Sequence, residues 1–163
     1  MKNIYEGILG FKGTFRTYQA RVLEHSGHYL ADGKIHIVAA PGSGKTTLGI
    51  ELIRRIGAPC LILSPSITIR QQWLERIREG FLPDGQEPEG LLSNDLSQMK
   101  AITSVTYQAL YCAMKRETGR IGDEDDREEG PEEGADETEA VDFSDFDLQK
   151  AVKEAGVVTI CLD

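Results

Sequence analysis

Apolar residues run along this chain in two alternating rhythms. Short unbroken runs, "IHIVAA" (35–40), "CLILS" (60–64), "AITSV" (101–105) and the final "VVTICL" (157–162), have the length and β-branched content of buried strands. Between them the apolar positions return every three or four residues. In "GKTTLGIELIRRIG" Leu48, Leu52, Ile53 and Ile56 share one helical face, and Gly57 is placed to stop the helix. In "TIRQQWLERIREG" the face is Ile69, Trp73, Leu74 and Ile77, and a third helix follows in "TYQALYCAMK". Ahead of these, Tyr18, Val22 and Leu23 suit a helix from Thr17 to about Leu30, weakened in its last turn by Gly27. Strand followed by helix, repeated, predicts an α/β domain built on a parallel sheet.

The pattern fails between residues 120 and 143. From Asp123 to Asp147 there are fourteen Asp or Glu against one basic residue, Arg127, and few large apolar side chains. Such a stretch cannot bury enough apolar surface to order itself, so it reads as a disordered acidic insertion, with no partner that the sequence identifies. Order is expected to resume near Ser144 as a helix N-cap, with Leu148, Val152 and Ala155 on one face and Gly156 at its end.

That insertion changes the meaning of the net charge of −9. The rest of the chain carries seventeen Lys or Arg against thirteen Asp or Glu, so a polyanionic partner is compatible with it. Cys60, Cys112 and Cys161 stand singly in apolar surroundings, without disulfide or zinc spacing, and read as reduced core residues. His25 and His28 have no carboxylate pair nearby and read as surface residues rather than metal ligands. No apolar run approaches the roughly 20 residues of a membrane span, and the N-terminal residues lack a leader's apolar core. These features predict a soluble cytoplasmic protein of one domain with no membrane partner.

The sharpest chemistry lies in "AAPGSGKTT", Ala39 to Thr47, between a predicted strand and a predicted helix. Pro41, Gly42, Ser43 and Gly44 form a loop whose glycines let backbone N–H groups turn inward around phosphate oxygens, at the positive end of the following helix. Lys45 is placed to reach β- and γ-phosphates, Thr46 offers a hydroxyl to Mg2+, and Thr47 continues the turn. Ala39 stands where the usual GxxxxGK[ST] pattern has its first glycine. These residues predict a nucleotide triphosphate site. By themselves they leave the class open among kinases, other phosphate-loop ATPases, motors and stand-alone binding modules.

Four further segments resemble the superfamily 2 helicases and translocases, in particular the DEAH-type DNA repair helicases and type III restriction motor subunits. "FRTYQ" is similar to the element with which that branch contacts adenine, which implies that Gln19 pairs with the base edge while Arg16 or Tyr18 lies against the ring. "LILSPSITIRQQW" is similar to the branch's second motif and implies nucleic-acid phosphate contacts by Pro65, Ser66 and Arg70, with Ser66 where Thr is commoner. Trp73 in the same segment reads as a core residue rather than a stacking platform. "ITSVTYQAL" resembles the TYQ motif, with Thr106, Tyr107 and Gln108 contacting one strand's backbone, and Thr106 doubling as a helix N-cap. "VVTICLD" looks like the strand leading into the D-E-x-H motif, which makes Asp163 the magnesium-coordinating aspartate.

The resemblance implies an incomplete RecA-like ATP-binding domain over residues 1–163, using ATP and Mg2+ and acting on nucleic acid, with DNA favoured over RNA but the sequence not deciding between them. It further implies that the glutamate after Asp163 and a second RecA-like domain are missing, so that Lys45 and Asp163 are the catalytic residues present and the chain alone does not hydrolyse ATP. In that fold a further strand separates the phosphate-loop strand from the one ending at Asp163. Residues 35–39 and 157–162 are therefore expected to flank a gap, with unpaired backbone groups and marginal stability.

Overall fold

The computed structural model describes residues 2–31, 33–119 and 147–163. The acidic segment and Ser144 lie outside them. Chain order is α1 (Thr17–Glu24), α2 (Ser26–Tyr29), α3 (Lys45–Ile56), β1 (Cys60–Ser64), α4 (Ile67–Phe81), β2 (Leu92–Ser93), a 3-10 turn (Leu96–Gln98), β3 (Ile102–Thr106), α5 (Tyr107–Gly119), α6 (Leu148–Glu154) and β4 (Thr159–Leu162). The four strands form one parallel sheet in the order β2-β3-β1-β4. This is the α/β, RecA-like arrangement expected, with part of its sheet.

β1 is buried at every residue because it has a strand on each side and helices on both faces, the environment that favours a continuous apolar run over an alternating one. On one face Ile62 and Cys60 pack with Ile50 and Ile53 of α3 and Trp73, Leu74 and Ile77 of α4. On the other, Leu61, Leu63 and Val105 meet Ala113 of α5 and Leu148 of α6. Tyr5 ties the N-terminal segment to the sheet, its hydroxyl oxygen lying 2.9 Å from both the Ala58 and Ala101 carbonyl oxygens, to which it can donate its one proton. Burial pushes that phenol well above its ordinary pKa, so it stays a donor.

Several boundaries differ from expectation. The helix expected over 17–30 is broken at His25, giving α1 and the single turn α2. α6 is capped by Asp147, whose carboxylate accepts from Lys150 N–H. Cys112 is exposed, unlike Cys60; its place on the outer side of α5 overrides the apolar neighbours that suggested a core position. His25 and His28 are at the surface, and no cluster of metal-ligating side chains occurs among the described residues. None of the described helices is long and apolar enough to cross a membrane.

The largest correction concerns residues 35–40, which do not form a strand. Their burial still alternates, and Ile35 and Ile37 pack against Leu23, Leu48 and Leu52, while Val38 is fully exposed. The segment runs beside α1 and α3 with no neighbouring strand to complete a ladder. β4 is correspondingly an edge strand. Its inward residue Cys161 packs against the core, but Val158, Ile160 and Leu162 are 65%, 62% and 67% exposed. Residues 35–40 and β4 are not paired with each other, and the expectation of two strands flanking a gap fails at its first strand.

An exposed apolar edge strand is a template for self-association. Ile160→Lys should therefore lower concentration-dependent association in sedimentation velocity while moving stability by no more than about 0.5 kcal/mol, as befits a solvent-facing position. Unchanged association would mean that β4 is not the contact.

Candidate functional site

The parallel register sets the site's frame. Ser64 stands opposite Thr106 and Leu63 opposite Leu162, so Pro65, Thr106 and Asp163 all leave the sheet at its carboxyl edge. Ligands of open parallel sheets bind at that edge. α3, which follows the 39–47 loop, packs on the same face as α4.

The loop itself is built by two left-handed glycines, Gly42 (φ 72°) and Gly44 (φ 92°), a conformation costly for any residue with a Cβ. Gly44 has a second reason to be glycine: a Cβ there would sit 2.7 Å from the Gln19 amide nitrogen. Three successive carbonyls of the loop are held from α1's side. Arg16 donates to the Gly42 carbonyl (3.0 Å), the Tyr18 hydroxyl to that of Ser43 (2.9 Å) and the Gln19 amide to that of Gly44 (2.9 Å). A trans peptide points its N–H opposite to its C=O, so pinning the Ser43 and Gly44 carbonyls turns the Gly44 and Lys45 N–H groups the other way. The Gly44 and Lys45 amides are thereby oriented before any ligand binds.

Gln19 is nearly fully buried, and its amide oxygen accepts from Arg16 N–H (2.7 Å), satisfying the backbone donor at the start of α1. Arg16 is exposed and Tyr18 half-buried. The "FRTYQ" segment is therefore first of all a brace for the loop. That role was missed in the sequence because nothing local shows that two segments some 25 residues apart will meet.

The residues fit a bound triphosphate on two observations. The Ser43 hydroxyl is buried in the loop and has no hydrogen-bond partner, and Lys45 Nζ folds back on the Ala39 carbonyl (2.9 Å), a neutral acceptor that a phosphate oxygen would outcompete. Pro41 is exposed; Thr46 and Thr47 are half-buried in the first turn of α3. For a magnesium ion the relevant donors are the Thr46 hydroxyl and the exposed Asp163 carboxylate, both hard oxygens of the kind that ion takes.

Asp163 is held from three elements. Its N–H donates to the Leu63 carbonyl (3.0 Å), its own carbonyl accepts from the Tyr107 hydroxyl (3.2 Å), and its carboxylate accepts from the Trp73 indole N–H (2.8 Å). Burial, and then the Asp163 charge, push the neighbouring Cys161 thiol up to about 11, so it remains protonated in the core.

Along the same edge, the Ser66 hydroxyl caps α4 by accepting from Ile69 N–H (3.3 Å), and the Thr106 hydroxyl caps α5 by accepting from Ala109 N–H (3.1 Å). Pro65, Tyr107 and Gln108 are exposed, and Arg70 is half-buried with its carbonyl taking the Ser104 hydroxyl (3.4 Å). Two helix N-termini and their flanking residues thus face one surface.

A family model described as "Type III restriction enzyme, res subunit" matches residues 12–139. Among curated proteins, the chain is 34% identical over 90 residues to "Putative helicase 055L" of Frog virus 3 (isolate Goorha), covering 51% of this chain and 21% of that protein. It is 29% identical over 96 residues to "DNA 3'-5' translocase XPB2" of Sulfurisphaera tokodaii, covering 59% of this chain and 20% of that one. The chain spans about a fifth of the length of these relatives.

The bracing role of Gln19 makes a prediction that needs no ligand. Gln19→Ala leaves the Arg16 N–H without its partner, and should lower stability by about 1–3 kcal/mol and speed hydrogen exchange at residues 42–46. Unchanged melting and exchange would show that the loop holds its shape without Gln19.

Proposed function

The chain belongs to the family of type III restriction enzyme res subunits, and on that footing we propose that residues 1–163 are the ATP-binding segment of a DNA-dependent helicase or translocase. The observation that supports this most is the meeting of the "FRTYQ" residues with the phosphate loop, since a phosphate loop alone serves many enzyme classes. The Sulfurisphaera tokodaii relative is a DNA translocase, which favours DNA over RNA.

On this reading the loop amides and the Ser43 hydroxyl receive the phosphates, and Lys45 leaves the Ala39 carbonyl for the β- and γ-phosphate oxygens. Arg16, exposed beside the loop, or the half-buried Tyr18 lies against the adenine, and the spare hydrogen of the Gln19 amide serves the base edge. Thr46 and Asp163 hold Mg2+, which when bound neutralises charge on the β- and γ-oxygens. Pro65, Ser66 and Arg70, with Thr106, Tyr107 and Gln108, take the backbone phosphates of a DNA strand through helix N-terminal amides and hydroxyls, positioning it without reading its sequence. Tyr107 is then the nearest link between strand and nucleotide, because its hydroxyl also bonds the Asp163 carbonyl.

On the same reading residues 1–163 bind ATP without turning it over, because hydrolysis in this class also needs a water-orienting glutamate and arginine fingers.

Calorimetry tests this reading. Lys45→Ala should weaken ATP binding about tenfold to a hundredfold, the worth of a charged hydrogen bond. Single-stranded DNA should raise the ATP affinity of the unmodified chain, and GTP should bind more weakly than ATP. ATP binding indifferent to both Lys45→Ala and DNA would overturn it.

A further inference from the structure

Trp73 is the chain's one tryptophan. It is 4% exposed and sits in the core between three elements. Its indole N–H donates to Asp163 Oδ2 at 2.8 Å, a bond to an ionised acceptor. The opposite side of the ring lies on α3: a Cβ built at Gly49 would come within 2.6 Å of Trp73 Cη2 and 3.3 Å of Cζ3. Gly49 occupies the second turn of the phosphate-loop helix, where glycine costs about 1 kcal/mol relative to alanine and where no turn or positive φ calls for it. The aromatic six-membered ring needs that space.

We propose that Trp73 is a positioning residue that spans from the phosphate-loop helix at Gly49 to the carboxylate of Asp163, fixing which oxygen of Asp163 faces the nucleotide. The proposal rests on the ATP and Mg2+ reading above. An aspartate side chain has a broad, two-fold terminal torsion, and the indole N–H takes one of its oxygens and leaves the other directed. Groups that hold a metal-binding carboxylate in this way typically change affinity by about 10–100-fold when removed. The indole is rigid, so a displacement of α3 against its ring is carried to the carboxylate at its other end.

Because the emission of a lone tryptophan reports the state of its N–H partner, the polypeptide carries its own probe. Trp73 emission should change when Mg2+ is added to the ATP-bound chain, should not change with ATP in excess EDTA, and should lose the Mg2+ step in Asp163→Asn. Trp73→Phe keeps an aromatic ring, though a smaller one, and deletes the N–H, so at matched ATP the Mg2+ concentration for half-maximal nucleotide binding, read by calorimetry, should rise about tenfold. Gly49→Ala, which pushes the indole from the other side and leaves the N–H in place, should raise it as well. If calorimetry shows Mg2+-dependent ATP binding that is unaltered by Trp73→Phe and Gly49→Ala, with constant emission, this proposal fails while the nucleotide reading stands. If the unmodified chain binds no nucleotide, both fail. Should Trp73→Phe prove unfolded by circular dichroism, the emission of the unmodified and Asp163→Asn chains decides the matter.

Discussion

In the parallel ladder joining β3, β1 and β4, Ser64 pairs with Thr106 and Leu63 with Leu162, so three segments leave the sheet at one level and on one edge. A slip of one residue in either pairing would turn the buried face of a strand outward and carry its terminal residue away from the edge. The register is specified by burial: β1 packs on both faces, and its neighbours must present Ile102 and Val105, or Cys161, to the layers that β1 defines. Asp163 and the helix caps of α4 and α5 are positioned by this constraint before any ligand is considered.

The phosphate loop follows a different logic. Its shape comes from α1, which binds three consecutive carbonyls and so orients the amides behind them. Residues 35–40 have no ladder to share, yet the loop they lead into is formed, because the brace and the glycine conformations act on the loop directly. A site can thus be set at one end of a segment whose strand pairing is absent. α3 then carries the loop's position inward through Gly49 and Trp73, and Arg55 of the same helix reaches back to the Leu23 carbonyl of α1.

Much of this was legible in the sequence, and for physical reasons. Short runs rich in apolar and β-branched residues marked β1, β3 and β4, Gly57 was placed to end α3 and does, and Thr106 caps α5 as its hydroxyl suggested. The loop glycines were visible because few other residues tolerate those dihedrals. What could not be read was non-local. Residues 35–40 look like a strand by composition, but a strand also needs a partner, which is a property of the sheet and not of the segment. Trp73 was read as a core residue, and it is one. That its N–H meets a carboxylate ninety positions away had one faint signal, a glycine inside a helix where nothing local requires it.

The central claim is that the loop, its brace and Asp163 form one preset site for Mg2+ and ATP. A crystal structure of the chain with Mg2+ and a non-hydrolysable ATP analogue tests it most directly. The account predicts phosphates on the amides of residues 42–46, Lys45 Nζ moved from the Ala39 carbonyl to a phosphate oxygen, a metal ion contacting the Thr46 hydroxyl on the Asp163 side, and Gln19 still bonded to the Gly44 carbonyl. Nucleotide bound elsewhere, or Lys45 still resting on Ala39 beside an occupied loop, would contradict it.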